Sequence, residues 1–295
     1  MSDYVLSCCS TADLNPEHFR RRDIQYICCH YYLDGAEYTD DLFTTVSPDT
    51  FYGAMANGAD ARTSQVNISE YLDYFTAILA QGKDILHVTL SSGLSGTYTS
   101  AMNAAAIARE RYPERKLYVV DSLGASSGYG LLMDTLADLR DGGMALDELR
   151  DWAEQIRLRI HHWFFSTDLT FYVKGGRISK AAGVFGGLLN ICPLLNMSFD
   201  GRLVPREKIR TKKKVISAIV DKMALLADDG PAYSGKCYIC HSACREDAET
   251  VAALVRERFA RLSGDVQIYN IGPTIGSHSG PGTAALFFFG RERAD

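Results

Sequence analysis

Apolar positions along this chain fall into two rhythms. Short runs of β-type residues recur at Tyr4 to Cys9, Gln25 to Leu33, Asp84 to Leu90 and Leu117 to Val120, and these read as strands. Between them lie segments with helical spacing and recognisable starts. Asn15-Pro16 opens one helix, with proline in its favoured first position. Ser47-Pro48 opens a second, and Asn57-Gly58 stops it. A third runs around Ser69 to Gln81 and ends at Gly82. Strand and helix in alternation predict a parallel sheet covered by helices. A long helix from about Leu146 to His162 is expected to close this first unit.

The second half has a different texture. KGGRISKAAGVFGGLLN is rich in glycine and small residues, and NMSFDGRLV turns at Asp200-Gly201 like a hairpin. Helical patterns follow at Thr211 to Leu226 and Arg245 to Leu262, separated by a strand at Lys236 to His241. Strands at Val266 to Ile271 and Ala284 to Phe289 flank a loop, GPTIGSHSGPG. The expectation is an α/β fold of two α/β domains. Residues 1–165 carry the helix-covered parallel sheet, and residues 166–295 a C-terminal α/β domain with a mixed sheet.

Composition narrows the function. The 295 residues are 46% apolar and 23% charged, as in soluble globular proteins. A net charge of −5 gives no electrostatic reason to expect a nucleic-acid binder. The longest apolar runs, such as Ala284 to Phe289, are too short to span a bilayer. MSDYVLSCCS has no basic segment ahead of an apolar core, so no signal peptide is expected and the cytoplasm is the expected location. The eight cysteines sit mainly within apolar runs and are expected to be reduced, buried thiols. Cys237, Cys240 and His241 match the spacing of a haem-attachment motif, with Cys244 as a conceivable metal ligand. KCYICHSA reads as a strand, however, and strand positions three apart point to opposite faces.

Chemistry concentrates in the polar islands. DILHVTLSSGLSGTY ends a buried strand with Ser91, Ser92, Ser95 and Thr97 held apart by glycines. In parallel α/β sheets ligands bind beyond the carboxyl ends of the strands. A helix start with small hydroxyls and free N–H groups suits a phosphate or carboxylate, although Ser95 could equally cap the helix that follows. Gly93-Leu94-Ser95-Gly96 approaches a nucleophile elbow, but Thr97 stands where its final glycine belongs. No Walker motif occurs, and GGRIS has the wrong spacing for a dinucleotide fingerprint. ARTSQVN near Thr63, KGGRIS with Arg177 and GSHSGPG with His278 are islands of the same kind.

In this order, TSQ at Thr63 to Gln65, SSGLSGTY, VVDS at Val119 to Ser122, GGRIS at Gly175 to Ser179, LLNICPLL, REKIRTKKK and IGPTIGSHSGPG resemble the DegV family. These are the fatty-acid-binding proteins that serve bacterial fatty acid kinase, and the resemblance covers nearly the whole chain. It implies a long-chain fatty acid held between the two domains, its carboxylate among small hydroxyls and its tail in an apolar tunnel. It implies no cofactor, no catalytic residue and a fatty acid kinase as partner. Thr63 and Ser95 are then expected to hydrogen-bond the carboxylate, with Ser64, Gly96, Arg177 and His278 as supporting contacts. A serine hydrolase or acyltransferase acting on lipid esters is the competing reading.

The chain departs from the family pattern in three places. Cys8-Cys9-Ser10 stands where Thr-Asp-Ser is usual, so a typical acidic residue is missing. Val66 replaces the proline after TSQ, and Cys192 the lysine of I-K-P-L. One basic stretch remains: Arg202, Arg206, Lys208, Arg210 and Lys212 to Lys214. On a strand Arg206, Lys208 and Arg210 would share a face. That face is either a solvated edge that discourages aggregation or a docking patch for an acidic kinase.

Overall fold

The computed structural model describes residues 4–179 and 191–294. The end of the small-residue stretch, including Leu188, Leu189 and Asn190 of LLNICPLL, lies outside them. Four parallel strands form the first sheet, in the order β2 (Ile24–Ile27), β1 (Tyr4–Cys9), β6 (Asp84–Thr89), β7 (Leu117–Asp121). Its helices begin where local chemistry favours a start. The Asn15 side chain accepts from the His18 N–H at 2.7 Å and opens α1 (Pro16–Arg21). Ser47 does the same for α2 (Pro48–Ala56) at 3.1 Å. Asn67 and Glu70 form a reciprocal capping box on α3 (Ile68–Leu79). Helix α4 (Thr97–Arg111) starts at the end of the serine-rich loop.

A second sheet of six strands is mixed: β10 (Leu203–Arg210), β9 (Ile191–Met197), β8 (Ile160–Ser166), β13 (Thr283–Phe289), β11 (Tyr238–His241), β12 (Gln267–Asn270). Only β11 and β12 run parallel. The α/β architecture read from the sequence is therefore present, with one parallel and one mixed sheet. A small antiparallel sheet, β4 (Ala36–Thr39), β3 (His30–Leu33), β5 (Ala61–Ser64), was not expected. The run from Gln25 to Leu33 is thus two strands in two sheets, broken at Cys28 and Cys29.

Two further expectations need correction. The helix expected to reach His162 ends as α6 (Leu146–Ile156), and Ile160–Ser166 is a buried strand. Its side chains alternate between two cores: Ile160 and Phe164 face one, Trp163 and Phe165 the other. Pairing on both edges outweighs the helical spacing that reaches into this segment. The division after residue 165 runs through β8, and we propose the turn at 157–159 as the junction between the sheets. GPTIGSHSGPG is not merely a loop, because Pro273–Ser279 is helical, with Pro273 in its first turn.

Helix α5 (Ser126–Asp141) decides how the sheets meet. It is buried along most of its length and belongs to a single apolar core that also takes Leu6, Leu86, Phe164, Cys240 and Phe287. That core touches both sheets. On the outer face of the parallel sheet lie α3 and α4, and on that of the mixed sheet α8 (Lys212–Leu226) and α9 (Arg245–Arg258). The layers therefore run helix, sheet, shared helix, sheet, helix. No helix among the described residues is long and apolar enough to cross a membrane.

At the rim of this seam Asp134 of α5 gathers polar groups from both sides. It accepts from His18 Nε2 at 2.9 Å, from the Tyr238 hydroxyl at 2.7 Å and from the Lys236 ammonium. Arg22 Nε lies 3.2 Å from it. Burial opposes ionisation of this carboxyl, but the hydrogen bonds from His18 and Lys236 outweigh it and hold it below the usual carboxylate range. A carboxyl so lowered stabilises the fold fully above its unfolded pKa, about 3.9. That contribution is lost as pH falls through the lower folded value. Asp134→Asn is expected to cost about 1–3 kcal/mol at neutral pH, because it weakens the buried acceptor of His18 and Tyr238 while Arg22 and Lys236 keep Asp138. The deficit should shrink as pH approaches the folded value, and urea unfolding of both proteins at pH 7 and pH 3 measures it.

Candidate ligand site

Between the sheets, beyond the carboxyl ends of the parallel strands, lies a cavity of about 490 Å³, within the ~300–1,000 Å³ usual for small-molecule sites. Leu90, Phe164, Met197, Ile275, Ala285 and Phe287 are among the apolar side chains of its wall. Thr63, Ser64, Ser95, Gly96, Arg177 and His278 all line it as well. The six residues singled out in the sequence come from four separate elements and meet at one place.

A closed ring of contacts explains how they meet. Thr63, on β5, shares a 2.8 Å hydrogen bond with His278 Nε2 on α10 (Pro273–Ser279). His278 rests on Gly175, where a Cβ would lie 2.3 Å from Nδ1, so only glycine lets the ring in. Two residues on, Arg177 donates to Gly175 O at 2.6 Å and to Leu94 O at 3.1 Å. Leu94 leads into Ser95 and Gly96. Gln65 closes the circuit: its amide donates to Ser100 Oγ at 3.0 Å, and a Cβ on Gly96 would lie 2.6 Å from its Oε1. Ser95 is not the helix cap, since Gly96 holds that position; Ser95 Oγ instead accepts from Thr97 N–H at 3.3 Å.

The electrostatics favour an anion here. Arg177 is half-buried, and its hydrogen bonds go to carbonyls, so its charge stays available to the cavity. Burial, with added repulsion from Arg177, pushes the His278 imidazole down to about 3. His278 Nδ1 is buried without a hydrogen-bond partner among the described residues. A neutral imidazole, two hydroxyls and one guanidinium at the mouth of an apolar cavity suit a carboxylate attached to a hydrocarbon. A hydrolase would need His278 to hold Ser95 and an acid to orient it. Its Nε2 is taken by Thr63 and its Nδ1 meets no carboxylate.

Other cavity residues carried no sequence signal. His162, buried and held neutral by desolvation, Tyr172 and Met197 line the apolar part from interior strands and a short helix. Their side chains are ordinary core residues in the sequence, and only the sheet pairing turns them inward together. Cys237 and Cys240 fall in different cores, as strand alternation requires. No cluster of His, Cys, Asp and Glu that could hold a metal occurs among the described residues.

The sequence model of the family described as "Uncharacterised protein, DegV family" matches residues 9–291. A DegV domain-containing protein of Clostridium perfringens is 34% identical over 98% of this chain and 98% of its own length. Among solved structures, a fatty-acid-binding DegV family protein of Thermus thermophilus is similar with a TM-score of 0.86 and 25% identity. The match covers 97% of this chain and 99% of that one. The Streptococcus pneumoniae fatty acid kinase B3 protein, loaded with linoleic acid, shares the fold with a TM-score of 0.83 at 22% identity, over 97% and 99% of the two chains.

The depressed pKa of His278 is open to direct measurement. In ligand-free protein its imidazole should stay neutral at pH 5, where an ordinary histidine near 6.5 is mostly charged. Because the unfolded chain binds that proton and the folded one does not, His278 makes stability rise with pH between about 3 and 6.5. Nitrogen-15 shifts of the ring report its state, and a charged His278 at pH 5 would contradict the geometry.

Proposed function

The chain belongs to the DegV family, and on that premise we propose that it binds a long-chain fatty acid in the cavity and presents the carboxylate to a fatty acid kinase. The carrying observation is a largely apolar cavity on which Thr63, Ser95, Arg177 and His278 are drawn together by one chain of contacts that includes a half-buried guanidinium. In this reading Thr63 and Ser95 hydrogen-bond the carboxylate, Arg177 balances its charge, and Ser64, Gly96 and His278 complete the pocket. The protein acts as a carrier, with no chemistry of its own.

Magnitudes divide the work. Each buried methylene contributes about 0.8 kcal/mol, so roughly fifteen give a gross term near ~12 kcal/mol before the costs of ordering. A hydrogen bond to a charged carboxylate adds about 1.5–3 kcal/mol. The tail then dominates affinity while the hydroxyls set orientation. An acyl phosphate can form only if the head group faces outward, and the polar ring lies between the partly exposed loops at 92–96 and 174–177.

The basic stretch supports the partner. Among the described residues strand β10 is an edge strand, paired only with β9, and Lys208 and Arg210 lie on it, both exposed. A bulge between Pro205 and Glu207 takes Arg206 out of register, so it does not share their face as the sequence spacing implied; it donates to Asn196 Oδ1 at 2.7 Å. An open, positively charged edge suits an acidic partner surface.

Small molecules extracted from the purified protein should include a long-chain fatty acid in near-stoichiometric amount by mass spectrometry. Folded protein that repeatedly yields none would count against the reading. Ser95→Ala and Thr63→Ala should each weaken fatty acid affinity by about 1–3 kcal/mol, and the double variant by less than the sum, since both hydroxyls grip one group. Steady hydrolysis of a long-chain p-nitrophenyl ester that disappears in Ser95→Ala would favour the hydrolase instead. Charge reversal at Lys208 and Arg210 should slow acyl-phosphate formation, chiefly at low salt, with fatty acid binding intact. Unchanged kinase turnover across salt concentrations would reduce the edge to a solvated surface.

A further inference from the structure

Two buried carboxyls behind the cavity wall take no part in the ring of contacts around Thr63 and His278. Asp13 follows β1 and Asp40 follows β4; they are 2% and 0% exposed. Asp13 Oδ1 and Asp40 Oδ1 have no hydrogen-bond partner among the described residues. Both crowd one point, because a Cβ on Gly272 would lie 2.6 Å from the first and 3.6 Å from the second. Two like charges buried together oppose each other's ionisation.

The pair lies on a seam. On one side the small antiparallel sheet and α2 share an apolar cluster of Tyr31, Phe51, Tyr52 and Met55. Helix α10 packs onto it through Gly276, where a Cβ would lie 2.4 Å from the Tyr52 hydroxyl. Asp40 and Thr63, from this sheet, hold α10 at both ends. Asp40 Oδ2 accepts from Thr274 N–H at 3.2 Å, and Thr63 meets His278. On the other side Asp13 is fixed to α5, where Ser126 Oγ donates to its Oδ2 and Ser127 Oγ to its carbonyl at 3.0 Å. Ser126 and Thr274 both line the cavity.

We propose that Asp13 and Asp40 share a proton across this seam and are positioning residues for His278. While the proton is held, α10 stays docked and the contact between Thr63 and His278 is kept. When it leaves to solvent, repulsion pushes the small sheet and α10 from α5 and loosens the grip on the ligand's head group. That last step rests on the fatty acid reading; the shared proton does not.

The surroundings leave the pair to titrate by itself. Burial pushes Asp13 well above the carboxylate range against the hydrogen bond from Ser126, and Asp40 adds repulsion. Burial pushes Asp40 up to about 6 against its hydrogen bonds from Thr274. The titratable groups that face the pair are Tyr26, Tyr31, Tyr52, Cys28, Cys29 and Cys240, with Asp41 next in the chain. None of these is a cation. Burial raises the three phenols and pushes Cys28 and Cys240 to about 12, while Cys9 and burial raise Cys29, so all stay neutral as the pair titrates. Because both carboxyls are raised in the docked form, docking is fully favoured below the unfolded value near 3.9. That advantage is lost as pH rises through about 6 and, for Asp13, beyond.

The test follows the side-chain carboxyl carbons of aspartate-labelled full-length protein by carbon-13 shifts across the pH range. At pH 7 one carboxyl of the pair should still be protonated, and both ionised there would overturn the proposal. Asp40→Asn should lower the Asp13 midpoint, since the repulsion is gone; an unmoved midpoint means independent carboxyls and defeats the shared proton. The wild-type shifts decide the first point whatever becomes of a variant. Binding of radiolabelled palmitate is then compared between wild type and Asp13→Asn/Asp40→Asn, whose amides keep the shape and cannot ionise. The ratio of wild-type to variant affinity should fall about tenfold from pH 5 to pH 8. Parallel profiles would overturn the link to His278. No palmitate binding by wild type at any pH would instead overturn the fatty acid reading, with the carboxyl titration still deciding the pair.

Discussion

The hydrogen bond between Thr63 and His278 joins two parts of the chain 215 residues apart, and the site depends on it. Thr63 lies on the last strand of the small antiparallel sheet, His278 on the helix that precedes β13. Through Gly175 the same imidazole fixes the turn that carries Arg177, and Arg177 in turn holds the backbone before Ser95. A neutral histidine can serve this way because burial disfavours its charged form. Charged, it would face Arg177 at close range and loosen the ring.

Binding a carboxylate between two packed layers is an electrostatic problem. A fully buried ion pair carries a desolvation penalty that its attraction barely offsets. On the proposed reading one guanidinium would supply charge from a partly buried position, while hydroxyls would supply directed hydrogen bonds. Arg177 spends its own donors on carbonyls that are always present, so it holds its place independently of ligand.

The shared helix α5 sets how far the two sheets can move apart. It is buried against both, and Asp134 on it binds groups from each side. Separating the sheets would expose that helix and strip the carboxylate of its donors. Access for a long ligand is therefore expected through the surface loops near Leu94 and Arg177 rather than by parting the layers.

Local chemistry made much of the fold legible. Asn15-Pro16, Ser47-Pro48 and Asn57-Gly58 bounded helices because capping depends on residues within one turn. The apolar runs at Tyr4 and Asp84 are strands because both faces of a central parallel strand are buried. The glycine- and hydroxyl-rich islands marked candidate site residues, and all six line one cavity. Whether they bind the carboxylate is left to the affinity measurements on Ser95→Ala and Thr63→Ala. What remained hidden depends on partners distant in sequence. Residues 160–166 are a strand because β13 and β9 pair with them, and the run through Cys28 divides because β3 finds β4 and β5. Residue types and spacing determined the elements and the polar islands; only long-range pairing decided which side chains face one another, because hydrogen bonding and burial there are set by neighbours far along the chain.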